Sequence, residues 1–505
     1  MKYMVVSSFV CSCLTGSCNL MDTESQEHLS GDEMWDEASV QTVESFVNSM
    51  YVQFRAATMQ DACFILYSGD LRCAPVQSSS STYFVQDLMD NDLNALREHY
   101  TGDDNVQSER IMQWKGFYKV IQSANILLKE LDRTNVSANE AETYRDEAVF
   151  MRCLAYFFLV RNFSDVPYYT DAYHQEPLPR TNMVAVLKNI AGDLNQILLD
   201  DPDVSCLPWT HASSNKKAIR ASRGAVLALL MHVNMWLAGF DEEHKNAYYE
   251  AVAESGKQLV EQSGSAYALL PLNQSSTIFR GGSNEGIFEI VQNLSFVNGN
   301  EMFHEKAIFS NLVMYSHLSS GRTSQIQYTY DFLTKIYPPD EQDGRVSQWF
   351  DENIYSTMES SRKEIRKFEH IDVYNGDKVT SNSGNQIVFR LADVILLYAE
   401  ALAELGGNDG KACELLNRVR SRAGASIVAY TGDDLKDAIY WERVRELIGE
   451  GHYFYDLVRT KKVCDIKYCY HPITKSKFRE GAWTWPISRK AQENNTLITL
   501  NNYWE

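Results

Sequence analysis

The chain has 505 residues, 44% hydrophobic and 12% aromatic, enough to bury a sizeable core. Its net charge of −20 argues against nucleic acid as a partner, because phosphate binding needs a basic surface. Of ten cysteines, Cys11, Cys13 and Cys18 lie near the start, and the other seven follow neither a metal spacing nor a disulfide framework.

The amino terminus reads as an export segment. Lys2 precedes an apolar stretch from Met4 to Val10, and Thr15-Gly16-Ser17 stand before Cys18 in the manner of a lipobox. Residues 1–17 are therefore expected to be a lipoprotein signal peptide, with Cys18 lipidated and the acidic run Asp22, Glu24 and Glu27 as a solvated tether. Thr15 replaces the usual apolar residue, so Cys13 is a competing cleavage point, and a plain secretory signal is the competing reading of the whole segment. The apolar run is far short of the ~20 residues a spanning helix needs, and no later segment is expected to reach that length.

Further along, helical stretches alternate with loop-rich ones. Trp114, Phe117, Tyr118, Ile121, Asn125 and Leu128 keep helical spacing. A second helix is expected from about Ala141 to Phe163, apolar on most sides and hence buried, with Asp165-Val166-Pro167 ending it. Ala218 to Phe240 and Asn246 to Gln262 supply another pair, with Trp236 on the packing face. Leu391, Val394, Ile395, Tyr398 and Leu402 mark a further helix face; Gly406-Gly407 end it and Asn408 is placed to cap the next. Ala412, Leu415, Leu416, Val419 and Ala423 form the following stripe, stopped by Gly424. From Arg390 to Gly424 is 35 residues, close to the roughly 34-residue tetratricopeptide unit. Helix pairs near 36–66, 111–163, 218–262 and 389–424 would give about four such units. The expected fold is mostly α, one domain over 18–505, with a helical scaffold spanning about 36–66, 111–262 and 389–460.

Between these stretches, residues 67–110 and 264–388 are rich in Ser, Asn, Gly and Tyr and carry short β-type runs such as Glu285 to Val291. Loops held on a rigid scaffold are where binding residues concentrate. Asp70, Arg72, Tyr83 and Phe84 fall in the first insertion; Phe296, Asn298, Asn300, Tyr315, Arg322 and Tyr328 fall in the second. Aromatic planes edged by Asn, Asp, Arg or Gln suit a sugar, which offers an apolar face ringed by hydroxyls. For each aromatic, packing under its own loop is the commoner role.

Glu442, Glu446 and Glu450 recur every four residues, a pattern that could present a carboxylate pair for glycoside hydrolysis. Arg443 and Arg445 lie among them and Arg459 follows, which predicts an ion-paired structural cluster instead. His452 reads as a hydrogen-bonded structural residue. There is no H-E-x-x-H and no G-x-x-x-x-G-K-[ST], and Gly281-Gly282-Ser283-Asn284-Glu285 lacks the last glycine of a nucleophile elbow. Cys464-x4-Cys469-x-His471 lacks a fourth zinc ligand and reads as a loop with two thiols, bridged or free. No catalytic residue, metal or cofactor is expected.

The ordered set from Phe389-Arg390-Leu391-Ala392-Asp393-Val394 through Glu442–His452 to Tyr453–Arg459 resembles the C-terminal signature of the SusD/RagB family. Leu154 to Pro167 resembles that family's aromatic helix and "FGDVP" turn, with Ser164 in place of glycine. Trp485-Pro486-Ile487-Ser488, Asn494-Asn495 and Asn502-Tyr503 are similar to its closing "PIP … NP … N-x-G-Y" pattern, departing at Ser488 and at the missing glycine. Ser17 to Asp22 resembles the family's mature start. The resemblance implies a SusD-like fold and a lipid-anchored protein on the outside of a Bacteroidetes outer membrane. It implies capture of an oligosaccharide beside a SusC-like TonB-dependent transporter, without covalent chemistry. RagB-like members imply peptide capture as the alternative. A ligand-free scaffold and a surface glycosidase are the rival classes.

Overall fold

The computed structural model describes residues 34–60, 65–78, 83–101, 111–199, 206–292, 326–350, 354–357, 365–374, 377–381 and 384–505. Helices adjacent in sequence are, for the most part, adjacent in space. α1 (Val40–Arg55) packs on α2 (Lys115–Glu130), α2 on α3 (Ala138–Phe163), α3 on α4 (Met183–Leu198) and α4 on α5 (Arg223–Phe240). The row continues through α6 (Lys245–Lys257) and α7 (Leu391–Leu405), and α7 packs on both α8 (Asp409–Arg422) and α9 (Gly432–Glu446). α10 (Tyr453–Arg459) lies against α5. Each helix covers an apolar face that its neighbour cannot bury alone, the logic of repeat scaffolds.

About four pairs are present, but the first two are divided differently from the expected 36–66 and 111–163. After α1 the chain continues in two π-helical segments, Ala56–Gln60 and Ile65–Leu71, so α1 takes α2 as its partner. α3 then pairs with α4, a helix the sequence reading did not anticipate; Met183, Val186, Leu187, Ile190 and Leu194 form its buried face. The remaining pairs are α5 with α6 and α7 with α8.

Local chemistry explains the main boundaries. Ser137 and Glu140 form a reciprocal cap on α3: Ser137 Oγ accepts from the Glu140 N–H at 3.3 Å, and Glu140 Oε2 accepts from the Ser137 N–H at 3.1 Å. Every residue from Phe150 to Phe163 is buried, as its all-round apolarity requires. Ser164 ends the helix at φ +65°, a conformation that suits glycine better than serine. Gly406 and Gly407 close α7 with positive φ, whereas the Asn408 side chain makes no capping bond to α8. α5 does reach the length and hydropathy of a membrane span, contrary to the sequence expectation. It is a core helix, 89% buried over that window.

Three antiparallel two-stranded ribbons are described. β1 (Val76–Ser78) pairs with β3 (Ile326–Tyr328), joining the two insertions. β2 (Gly286–Ile290) pairs with β6 (Gln386–Arg390), which leads straight into α7, and β4 (His370–Tyr374) pairs with β5 (Asp377–Ser381).

Candidate functional site

The carboxylates Glu442, Glu446 and Glu450 are buried together with cations supplied by distant segments. Arg390, at the β6–α7 junction, places Nη1 2.7 Å from Glu446 Oε1 and 2.8 Å from Glu285 Oε1, and Nε 2.6 Å from Glu450 Oε2. Arg345 Nη1 lies 2.8 Å from Glu442 and 3.0 Å from Glu446. Lys367 reaches Glu450 at 2.5 Å, and Arg420 reaches Glu442 at 3.0 Å. Burial by itself would raise the Glu446 carboxyl, but Arg422, Arg390 and Arg345 hold it far below the usual range. Glu446 is thereby engaged on all sides by arginines, the arrangement of a buried structural ion pair. The predicted ion-paired cluster is present: of the arginines expected in it, Arg445 pairs with Glu442 at 3.1 Å, and the other two go elsewhere. Arg443 turns away to Asp393 at 2.8 Å and Asp456 at 2.9 Å, and Arg459 pairs with Glu400 at 2.6 Å.

His452 belongs to a neighbouring buried group. His232 Nε2 is 2.7 Å from Asp393 Oδ2, and the His232 and His452 rings stack at 5.6 Å. These three residues could in principle meet at a metal. Arg443 already supplies the positive charge beside Asp393, and the group reads as a packed polar network. Cys464 and Cys469 are free thiols, and the Cys469 thiol makes its hydrogen bond with Cys73.

Three residues expected to face a ligand are instead buried. Asp70 Oδ2 accepts from the Gly451 N–H at 2.6 Å. Arg72, fully buried, donates from Nη1 to the carbonyls of Trp483 (2.8 Å) and Thr484 (3.0 Å) and from Nη2 to that of Ala482. Its guanidinium lies 4.7 Å from the ring centres of both Phe454 and Trp485. Tyr328 is buried and stacks on Phe332 at 5.5 Å. Asp70 and Arg72 clamp the first insertion to the C-terminal segment. Ser68 Oγ accepts from Trp485 Nε1 at 2.7 Å, and at Gly69 a Cβ would run into the Gly451 backbone. Tyr83 and Phe84 open a short helix, Tyr83–Met89. Phe296, Asn298, Asn300, Tyr315 and Arg322 lie outside the described residues, as does Cys18.

Burial pushes the Asp70 carboxyl up to about 8 from an ordinary 3.8, against the opposing Gly451 hydrogen bond. The folded chain therefore keeps a proton that the unfolded chain releases, and stability falls as pH rises from about 4 to about 8. Asp70→Asn should remove this loss. Its melting temperature is expected to exceed that of the parent near pH 8, by the equivalent of roughly 1–3 kcal/mol, with the gain shrinking toward pH 5. Thermal melts across that range check it; a gain independent of pH contradicts it.

An open cleft of about 520 Å³ lies outside both insertions. Its walls come from the start of α2, the loop 167–178 and the C-terminal residues 490–498. Trp114 meets Tyr118 edge to face at 5.6 Å; Tyr118 and Tyr169 lie nearly parallel (6.0 Å, 7°), and Tyr169 stacks on His174 at 4.7 Å. The frame is fixed by hydrogen bonds. The Tyr118 hydroxyl donates to the Pro167 carbonyl at 2.7 Å, and the Tyr156 hydroxyl donates to the Tyr169 carbonyl and accepts from its N–H. Asn495 Nδ2 donates to the Leu178 carbonyl at 2.8 Å, and His174 Nε2 lies 2.7 Å from the Glu176 carbonyl. Lys115, Glu176, Lys490 and Asn494 are exposed around the opening.

Comparison with known proteins gives concordant results. The family model described as "SusD family" matches residues 339–504, and that described as "Starch-binding associating with outer membrane" matches residues 28–234. A crystallised SusD homologue from Bacteroides thetaiotaomicron VPI-5482 is 51% identical, covers 94% of this chain and 100% of its own, and superposes with a TM-score of 0.87. The chain belongs to the SusD family. Among its SusD-family relatives is SusD-like protein P25 of Formosa agariphila, 27% identical over 77% of each chain. A solved structure titled "Laminarin binding SusD-like protein" is 22% identical, covers 91% of this chain and 98% of its own, and has a TM-score of 0.67.

In this SusD-family chain the sequence reading placed Trp114 and Tyr118 on a helix stripe and did not single out Tyr169 or His174. The available signal was the run Pro167-Tyr168-Tyr169 followed by Tyr173-His174 and Pro177. Such a run is too broken by proline to be a helix, and it is aromatic enough to need a surface of its own.

Proposed function

We propose that this protein captures oligosaccharides on the outside of the outer membrane, anchored through lipid on Cys18, and passes them to a SusC-like TonB-dependent transporter. The observation that carries the reading is SusD-family membership at 51% identity over 94% of the chain. The starch-binding description of the family model over residues 28–234, and the laminarin-binding neighbour, favour a glycan over a peptide. The body from 18 to 505 acts as one unit, with the insertions 67–110 and 264–388 as its ligand face. Tyr83, Phe84, Phe296 and Tyr315 are the proposed stacking residues, and Asn298, Asn300 and Arg322 the proposed hydroxyl partners. Binding alone is sufficient for this role, and the clustered carboxylates are committed to ion pairs.

Affinity for a sugar would come from ring stacking and hydroxyl hydrogen bonds, and an individually weak contact gains from tethering capture protein and transporter in one membrane. One acyl chain gives only marginal attachment, so the anchor would need several.

The test is a binding screen of the chain from Asn19 onward against plant, algal and host glycans with a peptide mixture alongside, read by affinity gel retardation and calorimetry. Saturable sugar binding is expected, weakened several-fold by Phe296→Ala or Tyr315→Ala. Peptide binding without sugar binding would move the protein to the RagB-like reading, and silence on every ligand would sink capture as its role.

A further inference from the structure

We infer that the cleft between the start of α2, the loop 167–178 and residues 490–498 is a second, preformed carbohydrate subsite that takes a hexopyranose unit of an oligosaccharide. The inference rests on the glycan-binding reading and extends it to a place on the scaffold apart from both insertions.

Many of the ring contacts in this protein are sealed in the core, as with Phe54, Phe117 and Phe158. Tyr118, Tyr169 and His174 make a ladder of near-parallel rings that remain only partly buried, at the wall of an open cleft. Leaving such a surface wet costs hydration free energy, and a ligand with an apolar face recovers it. The volume, about 520 Å³, falls in the range of small-molecule sites.

Pre-organisation is the second point. Tyr169 is held through both its backbone groups by the Tyr156 hydroxyl, and Asn495 ties the C-terminal wall to the loop. His174 donates from Nε2 to the Glu176 carbonyl, which fixes its ring. Little order remains to be acquired on binding, which favours affinity from a small contact.

The chemistry of the opening favours a sugar over a proline-rich peptide, the other ligand that seeks aromatic grooves. Peptide carbonyls in such grooves need hydroxyl donors, and the Tyr118 hydroxyl is already spent on Pro167. What the rim offers is Lys115, Asn494 and Glu176, donors and acceptors together, as hydroxyls require.

Hydrogen–deuterium exchange on the chain from Asn19 onward, with laminarihexaose, maltohexaose or a proline-rich decapeptide as probe, tests the assignment. Calorimetry is run in parallel on the parent, His174→Ala and Tyr169→Ala, with melting temperature as the check on folding. The expected result is that a hexaose slows exchange in 113–118, 167–178 and 490–498. His174→Ala, a partly exposed loop change, should reduce that protection at equal sugar concentration and weaken the site roughly three- to tenfold while melting as the parent does. Sugar binding that protects only the insertions overturns the cleft and leaves glycan capture standing. Protection of the cleft by the decapeptide alone overturns the carbohydrate assignment. Absence of sugar binding in calorimetry, with these hexaoses and across the glycan screen above, overturns both.

Discussion

Arg390→Met is expected to lower folding stability by about 3–5 kcal/mol, because it removes from a buried charge group a cation that contacts three carboxylates at once. Methionine keeps most of the apolar stem, so the effect isolates the guanidinium. Glu285, Glu446 and Glu450 each lose their contact with Arg390 at 2.6 to 2.8 Å, and none is exposed enough for water to replace it. Adding Glu446→Gln and Glu450→Gln to the methionine variant should deepen the loss, since Glu446 still pairs with Arg345 and Arg422 and Glu450 with Lys367, and those buried cations would then lose their own partners. Urea unfolding of the single and triple variants measures both quantities. A methionine variant as stable as the parent would show that these carboxylates are not held in place by Arg390.

Arg72→Ala is expected to cost a similar amount, about 3–5 kcal/mol, by a different route. No carboxylate is involved. The substitution strips donors from the carbonyls of Ala482, Trp483 and Thr484 and opens a hole between Phe454 and Trp485. Arg72→Lys should restore only part, because one ammonium cannot span three carbonyls and two ring faces. Thermal melts with sugar titrations on the same samples separate the two roles of this residue. A clamp loses melting temperature in the alanine variant; a ligand contact would lose affinity at unchanged melting temperature.

The helical array was legible because its period is written locally, in stripes such as Leu391, Val394, Ile395, Tyr398 and Leu402, and in the Gly406-Gly407 stop. Which helices pair was less so, since α4 was missed and α1 had been given a partner of its own. The acid cluster was recognised from the four-residue spacing of Glu442, Glu446 and Glu450. Of its cations only the neighbouring Arg445 was legible, because Arg345, Lys367 and Arg390 are far away along the chain and only the fold brings them in. Asp70 and Arg72 were misplaced for the converse reason. Polar residues beside a serine run look solvated, and nothing nearby announces that Gly451 and residues 482–484 will enclose them. The aromatic cleft is split over three segments, each of which reads alone as packing or as loop.

The clamp of residues 68–72 onto Gly451 and residues 482–485 sets the order in which this protein can be finished. The partners are separated by roughly 400 positions, as the bonds from Arg72 to Trp483 and from Trp485 to Ser68 show. Contacts of that span form late, because loop closure must be paid before they give anything back. The early turn stays unseated until nearly the whole chain has emerged, so assembly from the leading end can extend the helix row but cannot lock it. A chain stopped before Ala482 would thus carry most of its scaffold and only the Gly451 half of its fastening, with a bare guanidinium where three carbonyls belong.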